Sequence, residues 1–153
     1  MGEPVEVAIE SALLARAQAF ATAQAITISL PNVAFTPPEA KKVEAGVTVF
    51  GKWLRASFLP APSSAVTINH DGFNQHYGLM QVDVFYGAGS GELAPGRVAS
   101  AIIAYFKRGT VLGQDGFTIR IEDTPRRASM LIDGSWAMIP VSIPYRCFAR
   151  NPA

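Results

Sequence analysis

Residue types that build catalytic and metal sites are scarce in this chain. Its 153 residues include one cysteine, two histidines and 16% charged residues. The lone thiol, Cys147, excludes an internal disulfide and is typical of a chain that folds in a reducing compartment. A formal net charge of +1 gives no bulk attraction to nucleic acid and no polybasic membrane patch. These absences argue against a disulfide scaffold, a nucleic-acid-binding protein and a peripheral membrane protein.

Long apolar runs are missing as well. No stretch approaches the roughly 20 consecutive apolar residues of a membrane helix, and Glu3 and Glu6 stand where a signal peptide would be basic. We therefore expect synthesis in a cytoplasm and no contact with a membrane. Hydrophobic residues nevertheless make up 49% of the chain. With so few surface charges, some apolar area is expected to meet other subunits, although an ordinary alanine-rich domain has a similar composition.

The stretch from Leu79 to Phe106 predicts a strand, a turn and a helix that folds back on the sheet. Val82 and Val84 alternate with polar neighbours, as in a half-buried strand. After the glycines of 87–91, apolar residues recur at helical spacing, and Gly109 suits the left-handed end of the helix. This unit is the expected nucleus of the domain.

Flanking elements are predicted in the same way. A proline at the first helical position and an apolar stripe predict a helix over Pro4 to Ala21. Alternating apolar and polar residues predict a strand over 117–122, entered through the Asp115-Gly116 turn. Further strands are predicted at 26–30, 32–38, 53–59, 111–112, 128–132 and 136–148.

The last of these strands contains Pro140 and Pro144, which have the same parity. Proline has no backbone N–H, so both residues lack a donor on the same side of the strand. The strand is therefore expected to have one free or irregular edge, which also protects against edge-to-edge pairing between molecules.

The order of helix, strands, helix and strands indicates an α+β fold, with two helices packed on a mixed, mainly antiparallel sheet. The length fits a single domain over residues 1–153. Within it, residues 39–52 are interpreted as an insertion or loop and residues 149–153 as a tail.

Two glycine motifs imitate nucleotide-binding loops. Gly46 to Lys52 has the spacing of a phosphate loop, but Trp53 stands where the magnesium-binding hydroxyl belongs. Gly87 to Gly91 lacks the third glycine of a dinucleotide turn, because position 92 is Glu. The first motif is interpreted as two turn glycines and the second as a flexible connection, and no cofactor is expected.

His70, Asp71 and His76 form the only histidine–carboxylate cluster in the sequence. They could serve as metal ligands or as an acid–base pair in a small metal- or ligand-binding domain. No second group of ligands complements them, and a turn histidine beside an aspartate is usually solvated. The basic pair Arg126-Arg127 is either a solvated loop or a partner contact.

Four stretches resemble the small tail-terminator-like minor tail proteins of long-tailed bacteriophages. They are Leu30–Pro38, Trp53–Pro62, His76–Phe85 and Val141–Arg146. The resemblance runs in order along most of the chain. Its motifs are turns and strands rather than a catalytic signature.

The resemblance implies a structural virion protein that is assembled in the cytoplasm of the host bacterium and is not an enzyme. It implies a homo-oligomeric ring, commonly of six copies, at the head-proximal end of the tail tube. Such a ring stops polymerisation of the tail tube protein and joins the tube to head-completion or neck proteins. Genomic DNA passes through the lumen without specific binding. A neck or head-closure ring is the near alternative.

Interface residues follow as expectations from the loops and the large aromatics. The segments 63–75, with Phe73 as an anchor, and 39–52 are the expected contact loops. Trp53 and Trp136 are either interface hot spots or core residues of their own subunit. The candidate residues for subunit or partner contact are Trp53, His70, Phe73, His76, Arg126, Arg127 and Trp136.

Overall fold

The structure, a computed structural model, describes residues 3–152. Its helices are α1 (Val5–Ala23) and α2 (Leu93–Tyr105). Its strands are β1 (Thr27–Ser29), β2 (Lys41–Glu44), β3 (Val47–Phe50), β4 (Lys52–Pro60), β5 (Ser64–Ala65), β6 (Phe73–Gly87), β7 (Val111–Gln114), β8 (Phe117–Ile121), β9 (Arg126–Arg127), β10 (Leu131–Asp133) and β11 (Trp136–Arg150). The predicted α+β class, with two helices and a mixed, mostly antiparallel sheet, is confirmed.

Nine strands form the main sheet, whose central path runs β1-β4-β6-β11-β8-β7. β5 adds to β6, while β9 and β10 add to β11. Within residues 3–152, β1 and β4 are the one parallel pair and the other pairs are antiparallel. β2 and β3 form a separate hairpin.

β6 and β11 are the centre of the sheet and pair along 15 residues each, from Gly87–Trp136 to Phe73–Arg150. Along β11, every second residue from Ala137 to Ala149 is buried. The two helices pack on this face and form one core with it. Each fully buried aliphatic side chain of the core stabilises the fold by about 1.5–3 kcal/mol. The core includes Ile9, Leu13, Phe20, Met80, Val82, Val84, Val98, Ile102, Phe106, Ile139, Val141 and Ile143.

One arginine joins the two helices. Arg16 of α1 donates from Nη2 to the carbonyl oxygen of Tyr105, at 2.6 Å, and its guanidinium lies 4.2 Å from the centre of the Tyr105 ring. This carbonyl belongs to the last residue of α2, where the helix leaves acceptors without intrahelical donors and favours a cation. The prediction that Gly109 caps the helix is wrong, because α2 ends at Tyr105 with Phe106 as its cap; Gly109, at φ +89°, lies three residues further on, in the turn that leads to β7.

Three predicted segments differ from the structure. The strand predicted at 128–132 is reduced to β10 at Leu131–Asp133, and β9 lies in the preceding segment, where a loop was expected. The strand predicted at 32–38 is wrong, because Asn32 has a positive φ of 56° and Pro37 and Pro38 are exposed, leaving no regular ladder. The predicted tail is also shorter than expected. β11 continues to Arg150, Ala149 is buried, and Asn151 donates to the carbonyl of His70 at 2.7 Å. Residue 153 lies outside the described residues.

The two prolines of β11 explain how its second edge is built. The carbonyl of Pro140 accepts from the amide of Ala128 at 2.8 Å, and that of Pro144 from the amide of Glu122 at 3.1 Å. A strand residue directs its C=O and N–H to the same side, so the missing donors face β8, β9 and β10. The predicted irregular edge is confirmed, since three short strands replace one continuous neighbour.

Candidate interaction surfaces

The helices pack against one face of the sheet, and we call the opposite side the outer face. Its residues are those that alternate along each strand with the buried core residues. Arg55, Asp83 and Ser142, on three neighbouring strands, are examples. An antiparallel sheet often leaves one face to solvent, with polar residues on it. Here the outer face has three distinct zones, namely an aromatic end, a charged centre and an apolar far end.

The aromatic end surrounds Trp53. Its ring stacks on Phe85 with centroids 4.0 Å apart and an interplanar angle of 6°, and it meets Trp136 edge-on at 5.9 Å and Phe35 at 5.1 Å. Trp53 and Phe85 are buried, whereas Trp136 is half-buried. Such pairs stabilise a fold by about 0.5–1.5 kcal/mol each beyond their buried area. Trp53 therefore lies in a cluster of its own subunit, and Trp136 lies at the cluster's rim.

The charged centre is built around Asp83, whose side chain is 1% exposed. Arg55, its direct partner across β4 and β6, contacts Oδ2 from Nε at 3.0 Å and from Nη2 at 2.9 Å. Gln81 donates to Oδ1 at 2.8 Å, and the Arg55 guanidinium also lies 5.0 Å from the Phe85 ring. Both carboxylate oxygens thus have donors, which a buried charge requires. Sequence reasoning missed this pair because its two residues are joined only by strand register.

The apolar far end consists of five side chains that are each 38–48% exposed, and we call it the distal patch. Leu59 and Leu79 are direct partners across β4 and β6, and Tyr77 follows Leu79 on the same face. The guanidinium of Arg146 lies 5.7 Å from the Phe148 ring and that of Arg150 lies 5.3 Å from the Phe73 ring. The distal patch consists of Leu59, Phe73, Tyr77, Leu79 and Phe148.

Of the distal patch, only Phe73 was a sequence candidate. The missed signal was available, because Leu79 and Tyr77 have the outward parity of a strand whose inward residues are Met80, Val82 and Val84. Apolar residues on both faces of a strand indicate that both faces are covered by other parts of the protein or by a partner.

An open groove of about 680 Å³ adjoins the distal patch at Leu79. Ser142 and Pro144 of β11 line it, and its wall carries acidic and basic residues. Arg126, one of the sequence candidates, belongs to this wall. The wall residues are Arg108, Glu122, Asp123, Thr124 and Arg126.

Arg127, the neighbouring candidate, lies elsewhere. Its Nη2 is 3.6 Å from a carboxylate oxygen of Glu92, just before α2, and its side chain is about one-third exposed. A partly solvated ion pair of this kind contributes at most about 1 kcal/mol. The basic pair is therefore divided between a groove wall and an ion pair within the chain.

The histidine–carboxylate cluster does not assemble as a metal site. His70 and Asp71 are exposed in the turn before β6, whereas His76 lies within β6, half-buried in a cleft beside α1 and near Glu6, Glu10 and Tyr145. Among residues 3–152, no three His, Cys, Asp or Glu side chains are grouped so that they could hold a metal ion. Burial raises the pKa of Cys147, which makes that thiol a core side chain rather than a nucleophile.

The glycine motifs form turns and close contacts. Gly46 has φ +79° at the turn between β2 and β3, and Gly51 precedes β4 rather than a helix. Gly89 and Gly91 also have positive φ angles and lie in the connection from β6 to α2. Gly46 is confirmed as a turn glycine, whereas Gly51 has no positive φ and lies in close contact with the carbonyl of Glu39. In the described part of the chain, neither helix has the combined length and hydropathy of a membrane-crossing segment.

The distinctive features of this fold are the partly apolar outer face of its sheet and the separate, exposed β2–β3 hairpin. A solved structure shares this fold, with a TM-score of 0.74 at 24% sequence identity, and the alignment covers 95% of this chain and 96% of that chain. No curated protein matches the sequence. The family model described as phage tail terminator protein matches residues 8–145, and the chain belongs to that family. It is therefore a protein of the phage tail.

Proposed function

We propose that this protein is a tail terminator that forms a ring, expected to be hexameric, at the head-proximal end of the tail tube. The match of the terminator family over residues 8–145 is the observation that carries this proposal. In the proposed mechanism, one face of the ring fits the last ring of tube subunits. The opposite face does not repeat the tube's own surface, so addition ends there and head-completion proteins join.

The charge and surface of the subunit support this role. A ring needs heterologous contacts whose rotation closes on itself, and the uncovered outer face supplies apolar area for such contacts. DNA has to move through the lumen, and each contact with a phosphate would strengthen the binding of the DNA to the wall. A chain with a formal net charge of +1 suits passage better than a basic one. The proposed action is steric and has no bond-making step.

Electron microscopy of tube assembly tests the proposal. Purified tube protein is allowed to polymerise with and without this protein, and tube lengths and end views are recorded. We expect tubes that stop growing and carry a ring of this protein at one end. As a matched control, Ile139→Asp places a charge in the buried core and should abolish both the fold and the effect.

Two outcomes would contradict the proposal. Tubes that grow equally long with folded wild-type protein present would refute termination. Binding to finished tails or to heads without any effect on tube length would instead favour the neck or head-closure ring.

A further inference from the structure

The β2–β3 hairpin, residues 41–50, is almost entirely exposed, and we call it the arm. All its residues are exposed except Phe50, which is half-buried. Val43 and Val47 near its tip are 68% and 62% exposed. A two-stranded hairpin without further packing is only marginally stable in water. Apolar side chains at the tip of such an element indicate a partner surface that the isolated subunit does not provide.

The arm is fixed firmly at its root. Gly51 donates to the carbonyl of Ala40 at 2.9 Å, and Gly87 donates to the carbonyl of Gly51 at 3.0 Å. A Cβ on Gly51 or Gly87 would lie within 2.0 Å of the carbonyl oxygen of Glu39 or Ala40, so both positions need glycine for close approach. Phe50 packs beside Gly87 at the same point. The arm is therefore a rigidly based projection rather than a loose loop.

The arm and the groove beside the distal patch have complementary characters. One face of the arm presents Val47 and Val49 together with the ion pair Lys42–Glu44, whose atoms are 2.9 Å apart, whereas Val43 lies on the other face. The groove offers apolar Leu79 and Pro144, and its wall contains both signs of charge. A mixed-charge rim around an apolar contact is the usual arrangement of a protein–protein interface. We infer that the arm of one subunit docks in the groove and on the distal patch of a second copy of this chain.

The two surfaces cannot meet within one subunit. Leu79 lies eight residues along β6 from Gly87 at the arm's root, which corresponds to roughly 26 Å at 3.3 Å per residue. Each strand of the arm has four residues, so its tip reaches only about 13 Å from the root. Any contact between the arm and the groove therefore joins two copies of the chain. It joins different surfaces of the two subunits, as a head-to-tail ring requires.

The area available fits a subunit contact. Five side chains of about 200 Å² that are about two-fifths exposed give a patch on the order of 400 Å². A standard interface buries about 800 Å² on each partner, so the patch supplies roughly half and the groove walls extend it. Aromatic residues and arginines, which the patch and its rim contain, are enriched at interface hot spots. This assignment rests on the proposed ring and names its subunit contact.

Cross-linking of two single-cysteine variants tests the contact. In a Cys147→Ala background, Val47→Cys protein is mixed with Leu79→Cys protein in the presence of tail tubes and treated with a short bismaleimide. We expect covalent heterodimers from the mixture and none from either variant alone. In the matched control, Val7→Cys, which is 46% exposed on α1, replaces Leu79→Cys and should give none.

A second variant separates this contact from the proposed function. Val43→Asp/Val47→Asp should retain the fold, because both side chains are exposed. It should raise the protein concentration needed for ring formation at least tenfold. The inferred contact would be refuted if this variant formed rings normally. It would also be refuted if the cysteine variants formed normal rings but gave no cross-linked heterodimers. Neither result would contradict termination. Variants that ring normally but no longer attach to tubes would assign the arm to the tube protein. Wild-type protein that leaves tubes growing would refute termination itself.

Discussion

Asp83 is the one fully buried charged residue within residues 3–152, and it lies on the face that no helix covers. Two of its contacts come from Arg55, whose side chain is 46% exposed. The carboxylate of the pair is therefore buried, whereas the guanidinium is partly solvated. Removing one partner of a buried pair leaves a charge without compensation, and this costs more than the pair contributes.

Replacing Arg55 by Ala should therefore lower the free energy of unfolding by about 2–3 kcal/mol, less than for a fully buried pair because water reaches the guanidinium. Denaturant unfolding at neutral pH measures the change. Arg97→Ala, at an exposed position of α2, should stay within about 0.5 kcal/mol of the wild type. Equal effects of the two substitutions would show that Asp83 does not depend on Arg55.

Tyr145 makes a second prediction at the scale of a residue. Burial, with a smaller contribution from Glu10, raises the pKa of its phenol from 10 to about 12. The folded state then holds this proton where the unfolded state releases it, so stability is full below pH 10 and falls as the pH rises towards 12. Tyr145→Phe should flatten this decline in denaturant midpoints, whereas Tyr77→Phe, at an exposed tyrosine, should not. Identical slopes for wild type and Tyr145→Phe would contradict the burial effect.

At the scale of elements, the root of the arm depends on glycine. Gly51→Ala should cost about 2–3 kcal/mol or detach the arm, because its Cβ would overlap the carbonyl of Glu39. Hydrogen exchange at the amide of Gly87, which donates to the carbonyl of residue 51, reports on that root. Gly113→Ala in β7 is the matched control, since no atom lies within 4 Å of its Cβ site. Unchanged protection in Gly51→Ala would show that the root is not tightly packed.

The elements also show which sequence signals are decisive. Strict alternation predicted β8, where Ile119 and Ile121 are buried, and the helical stripes predicted α1 and α2. The segment 32–38 failed because β-branched and aromatic residues suggested a strand, whereas the prolines removed the donors that a ladder needs. Pro140 and Pro144 were informative for the same reason, since they marked where β11 lacks a continuous neighbour.

At the scale of the molecule, the arm should be dispensable for folding and necessary for assembly. Replacing residues 42–49 by a short Gly-Ser turn leaves Phe50 and the glycine root in place. Thermal unfolding should shift by only a few degrees, because the arm contributes nothing to the core. Sedimentation should show loss of rings. A shortened protein that still forms wild-type rings would contradict the inferred contact.

The fold was more predictable than the surfaces. Strand and helix identity follow from local periodicity, but the grouping of Leu59, Leu79 and Phe148 depends on pairing between distant strands. The segment 39–52 was recognised as a separate unit, while its exposed valines became meaningful only once the hairpin was seen to project. The role of Trp53 was left open between core and interface, and its stacking on Phe85 could be resolved only by register.

The ion pair in the centre of the sheet also affects how the nascent chain can align. β4 and β6 are both rich in apolar residues, and a hairpin offset by one position would still bury many of them. Such an offset would turn Asp83 towards the helices, because successive strand residues face opposite sides, and separate it from the guanidinium of Arg55. A carboxylate trapped there without a cation is severely penalised. The Asp83–Arg55 pair thus makes every register of β4 against β6 other than the native one energetically unfavourable.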